Sequence, residues 1–253
     1  MKKMRIGFVV LSIAIFAASA AFAGESLPRV LFDQGHAQQF LIEEKGELQL
    51  SKLADIIRGK GALVSSTAAP LNDQALQGIT ALVISGPFAS LQPEEVEAVS
   101  RFIEKGGRLA AMLHIGAPLA GLLAKLDIDH SNAVLHDRKN IIDRDTNFIV
   151  KDLTTHPLFT GIEQFSLYGG WALKYGKEGA PIARTSPEAW VDLDGDKQFS
   201  KNDAVGSFAV VIAGPHGKGD FVIFGDDAIF QNRYLDGDNS KLAANLAALL
   251  TGH

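Results

Sequence analysis

The sequence predicts an α/β protein built on a mostly parallel sheet with helices on both faces. Three observations carry this. Short apolar runs alternate with amphipathic stretches through the first half of the 253-residue chain, the pattern of repeated strand–helix–strand units. The runs are apolar throughout instead of alternating, as in strands covered on both sides. The intervening stretches carry helical stripes with start and stop residues in place. Past about residue 131 the texture becomes loop-rich and aromatic. That predicts a β insertion or sheet extension over roughly 131–206 within one domain of residues 24–253.

The elements follow in order. "RVLFD" (Arg29 to Asp33) reads as a buried strand leaving into the polar loop "QGHAQQF". Leu50, Leu53, Ala54 and Ile57 then recur at helical spacing, with Gly59 or Gly61 to end the helix. "ALVSST" and "ALVISGP" read as the second and third strands, the latter broken at Gly86-Pro87. "SLQPEEVEAVSRFIEKGGRLAAML" is the clearest unit. Pro93 suits a first helical turn, and Glu94 and Glu95 sit where the helix dipole favours anions. Val96, Val99 and Ile103 face inward, Gly106-Gly107 ends the helix, and "RLAAML" is the fourth strand. "APLAGLLAKLDI" predicts another helix. "GKGDFVIFGDDAIF" is a strong late strand with a polar exit. "DNSKLAANLAALLTG" is a closing helix, with Asp238 or Asn239 as N-cap and Gly252 beyond its end.

The first 23 residues have the layout of a secretory signal peptide. Lys2, Lys3 and Arg5 precede an apolar run from Ile6 to Ala20, and Ala21-Phe22-Ala23 supplies a small-x-small cleavage site. A bacterial periplasmic or secreted protein with no membrane span after cleavage is expected. Loss of three cations and no acids takes the formal charge from −5 to −8. A mildly acidic surface argues against nucleic acid, which needs a basic patch. The chain has no cysteine, so no disulfide, thiolate–zinc site or thiol nucleophile can form.

The order of "SLQPEEVEAVSRFIEKGGRLAAML", "THPLFTGI" and "GKGDFVIFGDDAIFQN" before a terminal helix resembles the class I glutamine amidotransferase-like superfamily, in its non-amidotransferase branch of secreted domains of unknown function, and is also similar to trehalose-utilisation-like proteins. The resemblance spans most of residues 24–253 and implies a flavodoxin-like three-layer α/β/α sandwich. The enzymes of that superfamily carry a catalytic Cys on the turn after the strand matching "RLAAML". Here the turn is "HIGAP", His114 to Pro118, with no Cys, and the late-strand exit "GDDAIFQN" lacks their His-x-Glu pair. The resemblance therefore implies a fold without glutaminase activity, and fold does not fix function.

Open parallel sheets bind ligands outside the carboxyl ends of their strands. Those ends supply Asp33, His36, Ser85, Gly86, His114, Asp226, Asp227 and, a turn later, Asn232 as candidate ligand-binding residues. His36, His114 and Asp226 are the candidate catalytic set, for acid–base or metal-assisted hydrolysis. Tyr168, Trp171 and Tyr175 could line a sugar-binding face or cover a core edge. "DIDHSNAVLHD", with His130 and His136, matches no metal spacing and reads as a solvated loop. His156 in "THPLFTGI" reads as a turn cap.

"DLDGDKQFSKND" matches a calcium loop counted from Asp192. Asp192, Asp194 and Asp196 take positions one, three and five, Gln198 its carbonyl at seven, and Asp203 position twelve. Phe199 holds the apolar position eight. Lys197 stands where such a loop wants glycine, and Asp203 is shorter than the usual Glu. The flanks read as strands, so any Ca2+ site is a lone loop with a structural role. The leading expectation is a non-catalytic binding or scaffold protein for a small molecule or glycan. A His/Asp hydrolase and an interaction module contacting a cell-envelope protein are the competing readings.

Overall fold

The computed structural model describes residues 27–252; the signal-peptide reading lies outside them. Fifteen strands and four α-helices run in chain order: β1 (Arg29–Asp33), α1 (Ser51–Gly59), β2 (Leu63–Thr67), β3 (Ala81–Ser85), α2 (Pro93–Glu104), β4 (Arg108–Met112), α3 (Ala120–Lys125), β5 (Ile128–Asp137), β6 (Ile141–Arg144), β7 (Asn147–Val150), β8 (Asp152–Leu153), β9 (Phe165–Tyr168), β10 (Trp171–Tyr175), β11 (Ala180–Arg184), β12 (Ala189–Val191), β13 (Ala204–Val205), β14 (Ala209–His216), β15 (Gly219–Phe224) and α4 (Gly237–Thr251).

The protein is mixed α/β. One twelve-stranded sheet has the order β13-β12-β5-β10-β14-β15-β4-β3-β1-β2, with β11 branching from β14 and β8 pairing beyond β11. Strands β2, β1, β3, β4 and β15 pair in parallel. From β14 outward the pairing is antiparallel. The expected mostly parallel sheet is thus only partly so. The reason is local: β14 returns directly into β15 through the turn at Gly217, φ +65°, and a tight turn joins only antiparallel neighbours. A second sheet holds β6-β7-β9.

Successive residues of the parallel strands serve opposite faces. Val30 and Phe32 of β1 and Val83 of β3 pack with α1 and α4. Leu31, Leu82 and Ile84 pack with α2 and α3. This explains the unbroken apolar runs. In α2, Pro93 opens the helix, a capping box joins Gln92 and Glu95, and Val96, Val99 and Ile103 are buried as expected. Leu50 lies one residue before α1, with Leu53, Ala54 and Ile57 on its buried face.

Two elements depart from expectation. "DIDHSNAVLHD" is not a solvated loop: Ile128–Asp137 forms the long strand β5, paired with β10 and β12. Its half-buried polar residues hid the strand pattern. The N-cap of α4 is Asp236. Asn239 is instead buried and braces β9 through the N–H and carbonyl of Ser166, at 2.8 and 3.2 Å. Gly252 ends that helix in the left-handed conformation, φ +80°, as glycine readily does.

Candidate functional site

The strands β3, β4 and β15 end side by side, so Ser85-Gly86, His114 and Asp226-Asp227 emerge together. Leu113 N–H donates to the Phe224 carbonyl, and Asp227 N–H donates to that of Leu113. These bonds lock the two exits. His114 Nδ1 bonds Asp227 Oδ1 at 3.1 Å. That carboxylate raises the imidazole's pKa above its ordinary value. The His114 side chain is 38% exposed and that of Asp227 1%. The histidine thus reaches solvent while its orienting carboxyl does not. Burial pushes Asp227 up. Burial, with the charge of Asp227 beside it, also pushes Asp226 up to about 8.

Asp226 is not the partner of His114. Its two oxygens accept the N–H groups of Tyr168 at 2.7 Å and Ala228 at 2.9 Å. It therefore fastens β9 to the β15 exit. Asp227 Oδ2 and Ser85 Oγ are buried with no hydrogen-bond partner among the described residues. Gly86 has φ +61°, and a Cβ there would overlap Asp227 Oδ2. Glycine is needed both for the backbone angle and for the close approach.

The pocket beside this pair holds about 200 Å³. His114, Asp226 and Asp227 line it with Phe40, Arg144 from β6, Tyr168 from β9, and Gln231 and Tyr234 from the segment before α4. Tyr168 and Tyr234 stack at 3.9 Å between ring centroids. Phe40 and Phe88 pack on the His114 ring at 5.1 and 5.0 Å. Trp171 donates its indole N–H to the His114 carbonyl at 3.1 Å.

His36 belongs to a different environment. It is 6% exposed, with Nδ1 2.8 Å from Asp33 Oδ2 and Nε2 3.1 Å from Glu95 Oε2. The hydrogen bond to Asp33 leads the causes that raise its pKa to about 9, against the effect of burial. Glu95 also accepts the N–H groups of Leu71 and Gln92. Burial opposes ionisation of Glu95, but these N–H donors and His36 hold its pKa below the ordinary value. His36 is buried between two carboxyl groups. Its carbonyl accepts from the N–H groups of Phe88 and Ala89, which holds Phe88 against His114. Thus His36, His114 and Asp226 do not form one reacting set. Asn232 also leaves the candidate set: its carboxamide bonds Lys52 N–H, the Gly46 carbonyl and Ser51 Oγ, bracing the start of α1.

Of the aromatic candidates, Tyr168 lines the pocket, Trp171 supports His114, and Tyr175 bonds Arg184 elsewhere. His156 caps its turn by accepting the Leu158 N–H. Sequence reasoning missed the pocket roles of Arg144, Gln231 and Tyr234 and the part Glu95 plays beside His36. The capping box around Glu95 was the available signal; Arg144 had none, because β6 is brought there by the second sheet.

The acidic loop joins β12 to β13, an antiparallel pair at the far edge of the sheet. One carboxylate oxygen each from Asp192, Asp194 and Asp196 lie within 4.8 Å of one another, a group that could hold a metal ion. Asp203 accepts from Leu193 and Ser200 N–H at 3.2 and 2.6 Å, and the three grouped carboxylates likewise accept hydrogen bonds within the loop. Gln198 donates its N–H to Asp196. Lys197 adopts φ +60°, the left-handed backbone that glycine would favour at that position. Its N–H bonds Asp192 Oδ2 at 2.8 Å and leads the causes that lower the Asp192 pKa. Phe199 anchors the loop edge-on to buried Trp190 at 5.6 Å.

Fold and site together define a mixed α/β protein with a small polar pocket at strand ends and a separate acidic loop. The chain belongs to the family described as Domain of unknown function (DUF4350), whose model matches residues 43–247. No curated protein matches it. Among solved structures it is similar to the mmIFT52 N-terminal domain, at 17% identity and TM-score 0.71, over 88% of this chain and 97% of that one. It is also similar to a cytoplasmic protein from Salmonella typhimurium LT2, at 14% identity and TM-score 0.58, over 88% and 99% of the two chains. A ThuA-like protein from Bacteroides uniformis ATCC 8492 matches at 12% identity and TM-score 0.50, over 92% and 94%. Likenesses at these identities show the fold alone.

Proposed function

We propose that this protein is a non-catalytic binding protein that holds a small polar molecule or glycan fragment in the His114–Asp227 pocket. The observation that carries the reading is His114 itself. Its Nδ1 is held by a buried carboxylate while the ring stays open to a pocket walled by tyrosines. An oriented donor beside aromatic surface is a recognition arrangement. In the amidotransferase-like reading, with a flavodoxin-like three-layer sandwich, the catalytic cysteine's turn carries His114 instead. The helices on both faces of the parallel strands support that assignment, and the cysteine-free chain fits a branch without glutaminase chemistry. Secretion through the expected signal peptide fits a role in the periplasm or outside the cell.

Thermal melts against a panel of monosaccharides, sugar acids and amino acids test this. At least one member is expected to raise the melting temperature, and His114→Ala to abolish the rise. A panel without any effect would sink the binding reading. Turnover of nitrophenyl esters or glycosides that His114→Ala removes would replace it with the hydrolase reading, for which the oriented imidazole is also suited.

We read the acidic loop as a structural Ca2+ site, on the three converging carboxylates and the left-handed Lys197. Extracellular calcium modules bind at about 10⁻⁴ to 10⁻³ M. Calcium at about 10 mM is then expected to stabilise the fold by roughly 1.4 to 2.7 kcal/mol, read as a higher melting temperature than in chelator. Asp194→Asn is expected to erase the difference. Equal melts of the unmodified protein in calcium and chelator count against the site.

A further inference from the structure

We propose that the ligand of the strand-end pocket is a single sugar acid, a pyranose carrying a carboxylate. This rests on reading the pocket as a binding site and adds the chemical class. Three features point the same way: size, wall and uncompensated charge.

The pocket, about 200 Å³, lies below the roughly 300–1,000 Å³ of drug-sized ligand sites. That suits one compact ring. Tyr168 and Tyr234 stack on each other and both line the pocket, which gives a pyranose aromatic surface to pack beside. Gln231 and the ring of His114 border the same space and offer hydrogen bonds to hydroxyls.

The charge argument selects the acid. Of the histidine, the arginine and the two aspartates in the lining, three are already engaged within the protein. Both oxygens of Asp226 hold backbone N–H groups, and Asp227 is matched to His114. Arg144 is exposed and makes no ion pair among the described residues. It is the cation at the pocket with nothing to neutralise it. A guanidinium fork matches a carboxylate with two parallel hydrogen bonds. One guanidinium matches one carboxylate charge for charge, whereas a phosphate ester brings up to two negative charges to a single cation.

Trp171 provides the readout, because its indole N–H is bonded to the His114 carbonyl. The purified protein is titrated with glucuronate, galacturonate, glucose and glucose 6-phosphate, following tryptophan fluorescence and the melting temperature. At least one uronate is expected to bind about tenfold or more tightly than glucose. Arg144→Gln is expected to remove that preference without altering the melt of the unliganded protein, since Arg144 is a surface residue. Tyr234→Ala is expected to weaken the uronate and glucose alike. Equal binding of uronate and glucose, indifferent to Arg144→Gln, overturns the sugar-acid assignment and leaves the binding pocket standing. Preference for glucose 6-phosphate also overturns it, in favour of a phosphate ester. No response to any of the four sugars overturns it as well. The binding reading then stands or falls on the wider panel.

Discussion

Raising the pH from about 6 to about 10 is expected to destabilise the protein substantially, with His36 as the main cause. In the folded state its pKa stands at about 9, against an ordinary 6.5. The native state therefore holds a proton between those values that the unfolded chain releases. The resulting stabilisation is fully present below about pH 6.5 and is lost as the pH climbs through about 9. At about 1.36 kcal/mol per pH unit, the ceiling is about 3 kcal/mol. For a chain of this size that corresponds to roughly 6 to 12 °C in melting temperature. Asp226, raised to about 8, has the same sign over a lower window. Its contribution declines from about pH 4 and is lost as the pH climbs through about 8, so the two windows overlap and the difference between the unmodified protein and His36→Ala reports His36. His36→Ala leaves Asp33 and Glu95 facing each other without their shared cation, at a cost of roughly 3 to 5 kcal/mol near pH 6. Calorimetric melts across the pH series check both statements. A slope above pH 8 that is unchanged in His36→Ala would show that another group carries it.

Gly86→Ala is expected to cost about 2 to 5 kcal/mol and to disconnect the pocket's histidine. The new Cβ would have to sit at φ +61°, lie 3.1 Å from His114 Cβ, and overlap Asp227 Oδ2. The left-handed backbone alone costs about 1 to 2 kcal/mol, and overpacking adds about 1 to 3. Gly161→Ala is the control, since it shares a positive φ of +71° but has open space around it. That variant is expected to lose only the backbone part. Because Asp227 must move in Gly86→Ala, the His114 ring is expected to titrate closer to an ordinary histidine. An NMR titration of that ring measures this. An unchanged His114 titration in a folded Gly86→Ala protein would mean that Asp227 does not set its charge.

Glu95 shows why part of the site was legible and part was not. Its place in the first turn of α2 follows from Pro93 and the capping pattern, all within a few residues. That the same carboxyl also reaches His36, 59 positions away in sequence, depends on how α2 docks beside the loop after β1. The strand exits were correctly read as places where polar residues gather, because apolar runs announce where parallel strands stop. The pairing within the gathering was not: His114 chose Asp227 over Asp226. Adjacent residues leaving a strand point to different sides, and only the position of β9 decides which one meets a backbone N–H. Tyr234 and Arg144 enter from distant segments with no local motif.

The amino-acid sequence by itself determined the parallel core, its helices, the capping box of α2, the lack of any thiol chemistry, and the spacing of the acids at Asp192, Asp194 and Asp196. These depend on periodicity, composition and short-range backbone preferences. The tertiary structure alone decided that the later strands extend the sheet in antiparallel fashion. It also decided that His36 is a sealed structural cation and that a pocket opens between His114, the tyrosine pair and Arg144. Those outcomes depend on which strand edges and side chains meet across long stretches of chain, and packing settles that only when the whole domain has closed.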